Sequence, residues 1–259
     1  MGGRSTRAAR CCGRRAGRIS GAARPPRQSA PARILRCALF VPALSAAAQP
    51  ARAEFGYSLS AASDDRFRGK STSEHLPVGT LAVSYDDAHG PYAGVSVTVG
   101  PVRGEGVRIE RSIQYAGYAH RLRSGVAIDV GVTNRIYDEY AAVEYARRFA
   151  QAYVGVIGRK ASSHLFFAPD YDGHGGSAGY LEGEALLLER GRWSLTGHLG
   201  ALLPPREERS GRLVEVDWRL GLTRRLGRAA VSLAWVGASP DADERQWRGT
   251  IVLSASRSF

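Results

Sequence analysis

Val107–Arg121 reads VRIERSIQYAGYAHR, and its period is two. The odd positions are Val107, Ile109, Arg111, Ile113, Tyr115, Gly117 and Ala119; the even ones are Arg108, Glu110, Ser112, Gln114, Ala116, Tyr118 and His120. Successive side chains of a β-strand point to opposite faces, so this stretch predicts a strand with its odd positions toward an apolar surrounding and its even positions toward a polar one.

The same design recurs along the chain. Phe55, Tyr57, Leu59 and Ala61 alternate with Gly56, Ser58 and Ser60; Ile128, Val130 and Val132 with Ala127, Asp129 and Gly131; Val214, Val216, Trp218, Leu220 and Leu222 with Glu215, Asp217 and Arg219. Twelve such segments are expected: 55–68, 78–87, 91–99, 107–121, 125–136, 143–158, 162–169, 177–189, 193–203, 212–225, 229–237 and 247–259. Residues 140–157 (YAAVEYARRFAQAYVGVI) would also suit a helix, and only the parity of the count makes them a strand. The connections alternate in length. Short ones fall at Ala88–Gly90, Leu122–Ser124, Arg159–Ala161, Arg190–Arg192 and Leu226–Arg228, with longer polar ones between them. An even number of strands with short turns at one end and long loops at the other predicts an all-β fold: a closed, antiparallel, up-and-down transmembrane β-barrel. Its short turns would be periplasmic and its longer loops extracellular.

The net charge of +12 is concentrated at one end. Residues 1–53 hold eleven arginines and no acidic residue, which leaves 25 basic and 24 acidic residues in 54–259. A near-neutral barrel gives no reason to expect nucleic acid. Arg33 and Arg36, the apolar run Cys37–Ala48 and Ala51-Arg52-Ala53 are ordered as a secretory signal with cleavage after Ala53. Residues 1–32 are read as an overextended start rather than a twin-arginine signal or a mitochondrial presequence. All three cysteines (Cys11, Cys12, Cys37) lie in this leader, so disulfides and thiolate chemistry are not expected in the barrel domain, 54–259.

With the apolar faces toward lipid, the pore-lining candidates are Asp64, Arg66, Arg68, Arg108, Glu110, Asp129, Glu182, Glu184, Glu215, Asp217 and Arg219, with Gln114, His198 and Arg248 on the same phase. A soluble sandwich would carry lysines on its polar face, and this domain has only Lys70 and Lys160. Trp193, Trp235, Trp247, Tyr57 and Tyr92 are expected at the membrane interfaces. Ile251, Leu253, Ala255 and the terminal Phe259 share a face, the form of strand by which barrel assembly machinery takes up its clients. Outer-membrane lipid and lipopolysaccharide are the surrounding partners expected.

Ser63-Asp64-Asp65-Arg66-Phe67-Arg68-Gly69, then Gly90-Pro91-Tyr92-Ala93-Gly94, then Ala168-Pro169-Asp170-Tyr171 with Gly175, resembles the TorF-type porin family. This is also described as the Gcw-type conserved barrel family of Gram-negative bacteria. The resemblance covers most of 54–203 and implies an outer-membrane barrel with a transport role; Asp172 stands where the family carries an aromatic residue.

Twelve strands lie between the eight that side chains just fill and the sixteen or more that leave a wide channel. The leading expectation is therefore a narrow charged pore for small polar solutes, with no catalytic activity. One alternative is a structural or adhesive barrel acting through loops such as Pro204–Gly211 and Asp241–Glu244. A weaker one is a lipid acyl hydrolase using Ser194 with His198 or Ser163 with His164, pairs whose spacing along a strand does not bring them together. Asp170-Tyr171-Asp172-Gly173-His174 opens like a calcium loop but lacks the closing glutamate. No cofactor and no metal ion are expected.

Overall fold

In the computed structural model, the described residues are 54–102, 104, 106–139, 141, 147–205, 214–239 and 248–259. The leader, Trp247, whose place at the membrane interface was only expected, most of Pro204–Gly211 and all of Asp241–Glu244 lie outside them, as does the side chain of Arg248. None of the described residues forms a helix long and apolar enough to cross a membrane.

Twelve strands close into one antiparallel barrel. In chain order they are β1 (Glu54–Ala62), β4 (Val78–Asp86), β5 (Pro91–Val102), β6 (Gly106–Arg121), β7 (Ala127–Tyr137), β8 (Arg148–Ile157), β9 (Ala161–Ala168), β10 (Ala178–Arg190), β11 (Trp193–Leu203), β12 (Glu215–Leu226), β13 (Ala229–Ala238) and β14 (Arg248–Ser258). Each pairs with its sequence neighbour, and β1 closes the ring on β14 through Ser58↔Ser258 to Ala62↔Ser254. Closure pairs the edge groups that neither lipid nor a dry exterior could satisfy. The outward face is an apolar belt: Phe55, Leu59, Leu81, Leu199 and Leu253 are each more than half exposed. Such a belt is stable against hydrocarbon and not against water. The protein is a transmembrane β-barrel with short turns at one end and long loops at the other.

Two features depart from simple alternation. The first strand stops at Ala62 instead of continuing to residue 68. The chain then folds inward and makes a miniature hairpin, β2 (Arg66–Phe67) with β3 (Lys70–Ser71), so Asp64, Arg66 and Arg68 sit on an inturned segment rather than on a wall strand. The turn between β2 and β3 uses left-handed backbone at Arg68 (φ 50°) and Gly69 (φ 79°). Gly69 is needed for space as well, because a Cβ there would overlap the Gly237 carbonyl of β13.

The second is a β-bulge in β6. Thr98 pairs with Arg111 but Val99 pairs with Ile109, which leaves Glu110 without a partner and reverses the phase of the strand. Val107 and Ile109 face out, as the pattern predicts. Arg111, Ile113 and Tyr115 instead line the interior cavity, and Ala119 is buried. The expected outward face is therefore inverted from Arg111 to Arg121, and Gln114 points out, accepting a hydrogen bond from the outward Asn134 at 2.7 Å. The physical reason is that the interior on this side is an aromatic core, so apolar side chains belong inside as well as outside. A second bulge, at Leu187 in β10, leaves Leu186 inward and Leu187 and Leu188 outward.

The bulge is tested by placing single cysteines at Ile109 and Ile113 in a chain without the leader and attaching a nitroxide. The label at 109 is expected to relax with oxygen in the lipid, and that at 113 with an aqueous nickel chelate. The same environment at both positions would remove the bulge.

Candidate functional site

The barrel interior has two unlike sides. From β5 to β11 it is filled by large rings: Tyr92, Tyr137, Phe149, Tyr153, Phe166 and Tyr180 form one buried cluster, joined by Phe67 from the inturned segment and Tyr171 from the loop before β10. Glycines on adjacent strands make room for them. A methyl group at Gly117 would overlap the Tyr92 hydroxyl, and one at Gly131 that of Tyr153; Gly155 and Gly200 do the same for His164 and Tyr180. From β12 through β14 to β1 and β4 most inward residues are small, Thr223, Ser232, Ala234, Ser254, Ser256, Ser258, Ser58, Ser60, Thr80 and Ala82, with Asp217 and Arg219 of β12 and three valines among them. Along this side runs a cavity of about 280 Å³, from Gly69 and Val78 near the loop end to Ser58 and Ser258 at the turn end.

Charged groups ring the boundary between the two sides in two similar constellations. In one, Asp129 is 1% exposed, accepts a hydrogen bond from the Tyr92 hydroxyl at 2.5 Å and lies 3.3 Å from His164 Nε2. Tyr92 and Tyr153 share a short hydroxyl contact, and Glu182 stands 3.9 Å from His164 Nδ1. In the other, Asp217 accepts from Tyr180 at 2.9 Å and lies 3.0 Å from His198 Nε2, while Glu184 faces His198 Nδ1 at 3.7 Å and pairs with Arg219. A buried carboxylate is tolerable only when its lone pairs are met in this way.

The inturned segment is built around acidic hubs. Asp64 accepts from Arg66 Nη1 at 2.7 Å, Ser71 at 2.6 Å and Ser73 at 3.1 Å, and Asp65 pairs with Arg111 at 3.1 Å. Lys70 reaches Glu215 at 3.6 Å, tying the segment to β12. Phe67 lies under two guanidinium groups, Arg68 at 4.7 Å and Arg135 at 4.5 Å from the ring centroid. Tyr171 is buried, and that burial raises the pKa of its phenol.

Of the residues expected in the lumen, Asp129, Glu182, Glu184, Glu215, Asp217, Arg219 and His198 face inward on the strands. Glu110 does so from the bulge, over Gly100. Arg108 keeps the inward phase but stands exposed at the loop-end rim. Asp64, Arg66 and Arg68 reach the lumen by the inturned segment, and Gln114 is outside it. Tyr92, expected at the membrane interface, is buried inside, whereas Tyr57, Trp193 and Trp235 face out. Sequence reasoning did not place Arg111, Arg135, Tyr153, Phe166 and Tyr180 in the lumen, and it named His164 only as a partner of Ser163. All but Arg111 stand on the polar phase of their strands, next to Thr133, Gln151, Ser162 or Glu182, and that parity is the signal that places them.

The serine–histidine pairs do not assemble a nucleophile. Ser163 faces out and donates to the Glu182 carbonyl at 2.8 Å while His164 faces in, and His198 is engaged by Asp217. In the Asp170–His174 loop, the N–H groups of His174 and Gly176 donate to Asp172 at 2.8 Å each and hold its carboxyl below the usual carboxylate range. Among the described residues no group of three or more His, Cys, Asp or Glu side chains is placed to hold a metal ion.

The Asp129 constellation yields a stability prediction. Asp129→Ala removes the carboxylate that accepts from the Tyr92 hydroxyl and faces His164 Nε2, leaving them only Tyr153 and Glu182, and is expected to cost about 2–4 kcal/mol in urea unfolding of the refolded barrel. Glu189→Ala, which opens a more exposed pair with Arg225, should cost about 1 kcal/mol or less.

The fold has relatives among solved structures. A NanC porin superposes with a TM-score of 0.55 at 8% identity, covering 78% of this chain and 98% of that one. A KdgM porin gives 0.49 at 12% identity, with 79% and 99% covered, and the COG4313 outer membrane channel from Pseudomonas putida F1 gives 0.45 at 12%, with 82% and 97% covered. At such identities the likeness is one of fold. No curated protein sequence matches significantly. The sequence pattern of the family described as "Bacterial protein of unknown function (Gcw_chp)" matches residues 46–256, most of the chain and the whole run of barrel strands from β1 to β13, and the protein belongs to that family.

Proposed function

We propose that this barrel is a porin of narrow bore in the outer membrane of a Gram-negative bacterium, passing small polar solutes along its hydroxyl-lined side. The observation that carries this reading is the cavity of about 280 Å³ that follows the small inward residues of β12–β14, β1 and β4 from one end of the barrel toward the other. A chain built only for rigidity would gain by filling that side with rings, as β5–β11 are filled, because each buried large side chain contributes on the order of 1.5–3 kcal/mol. Serines and threonines instead leave the space open and offer hydrogen bonds to a solute shedding water.

The inturned segment sets the bore. It lies beside the cavity at the loop end, with Arg66, Phe67, Arg68 and Gly69 in its lining. The same reading assigns the remaining partners. The apolar belt sits in lipid, the loop end meets lipopolysaccharide, and Phe259, exposed on the outward face with its N–H donating to the Tyr57 carbonyl at 3.0 Å, is the handle for barrel assembly machinery. Export would follow cleavage of the leader near Ala53.

Single-channel recording in planar bilayers tests the passage. The folded barrel is expected to conduct. Ser254→Trp, which puts a ring into the open side, should lower the unit conductance severalfold, and replacing Arg66–Ser71 by a Gly-Ser linker should raise it. A barrel that is folded, as shown by heat-modifiable migration on gels, yet silent would overturn the reading.

A further inference from the structure

Arg68 differs from the four arginines that are paired with carboxylates. Arg66 pairs with Asp64, Arg111 with Asp65, Arg219 with Glu184 and Arg225 with Glu189. Arg68 is 9% exposed, and its Nε and Nη1 are buried without a hydrogen-bond partner. Buried guanidinium N–H groups are ordinarily bonded, since leaving them bare forfeits solvation for nothing. What holds Arg68 is three aromatic rings, with its Cζ 4.0 Å from the centroid of Tyr180, 4.7 Å from that of Phe67 and 5.1 Å from that of Tyr171. Ring faces stabilise the cation through its π surface, the Tyr171 side chain hydrogen-bonds the guanidinium, and Nε and Nη1 remain without an acceptor.

Of the carboxylates nearby, Asp217 is committed to His198 and Tyr180, Glu184 to Arg219, and Asp64 to Arg66, Ser71 and Ser73, while Glu182 acts on Arg68 through space without a hydrogen bond to it. The backbone adds to the picture, because Arg68 sits in left-handed conformation beside a Gly69 wedged on β13. Strain of that kind persists only where the surroundings fix it. The same cavity carries two further hydroxyls that are buried and unbonded, Ser256 Oγ on β14 and Thr133 Oγ1 on β7.

Resting on the porin reading, we propose that Arg68 is the recognition point for a hydroxylated monocarboxylate, a small polyol acid. Its carboxylate takes an Arg68 N–H and its hydroxyls bond along the serine side. A guanidinium N–H at Nε or Nη1 gives a carboxylate a charge-assisted hydrogen bond, stronger than one to a neutral group. A single negative charge is favoured over two, because Glu182 and Asp217 line the same cavity and repel a second. A cavity of about 280 Å³ lies at the small end of ligand sites and excludes long chains.

Gluconate and sorbitol make the matched probe, equal in carbon count and differing by the carboxylate. In bilayers carrying a potassium chloride current, gluconate should block the wild-type barrel saturably and sorbitol should not. Arg68→Gln should raise the half-blocking concentration about tenfold or more, Arg68→Lys should give an intermediate value, and Ser256→Ala should raise it a few-fold. Equal block by gluconate and sorbitol, or an Arg68→Gln barrel that is folded and blocked like the wild type, would overturn the proposal. Calorimetric titration of the folded barrel in detergent separates this proposal from the porin reading. Arg68-dependent gluconate binding without current would keep the site and remove the passage. Current without such binding would remove the site and keep the passage.

Discussion

Closure is the constraint on which the rest of this structure depends. A strand in hydrocarbon has no water to satisfy its N–H and C=O groups, so the sheet must bond to itself all the way round, β1 to β14. Once the ring is closed, inside and outside are global properties, and every strand must keep step with both neighbours. A bulge therefore has consequences well beyond its own turn of chain. At Glu110 it changes the phase of the strand and brings Arg111, Ile113 and Tyr115 into the lumen.

A ring of this size also creates a problem that its own wall cannot solve. Twelve strands enclose more volume than inward side chains of ordinary size can fill. The molecule meets this unevenly. On one side it stacks tyrosines and phenylalanines over glycines of the next strand and sends Phe67 down to join them; on the other it leaves serine, threonine and alanine facing a cavity. The filled side gives the barrel a core in the ordinary sense, and rigidity there allows the other side to stay open.

The twelve strands, their order and the sidedness of turns and loops could be read from alternation and connection length, because those patterns are imposed locally by the pleat and by lipid. Asp129, Glu182, Glu184, Asp217 and Arg219 point inward for the same reason. The end of β1 was legible in part, since Ala62 and Ser63 exchange the apolar and polar phases and Ser63-Asp64-Asp65 is a turn-forming cluster; where the chain goes from there is tertiary, set by the hub that Asp64 forms with Ser71 and Ser73. The inversion in β6 was equally hidden. Alternation tells two faces apart only when one is polar, and from Arg111 onward the inner face is as apolar as the outer. Tyr92 was misplaced by the habit of assigning strand-end aromatics to the interface, although Ser96 and Thr98 on its phase point inward.

The density of charge inside the barrel has its own logic. Filling the interior with aliphatic side chains would be at least as stabilising as ion pairs, since paired charges barely recover their desolvation cost. It would also make the strands apolar on both faces, erasing the alternation that tells lumen from lipid and fixes register. Polar interiors are thus required by the fold itself, and so their presence says little about function. The informative residues are those whose polarity the fold does not use. Asp129, Asp217 and Glu184 spend their charge on tyrosine, histidine and arginine partners within the wall. Arg68 spends its ring face on Tyr180 and leaves Nε and Nη1 uncommitted. Those two N–H groups are where selection for a solute has something to act on.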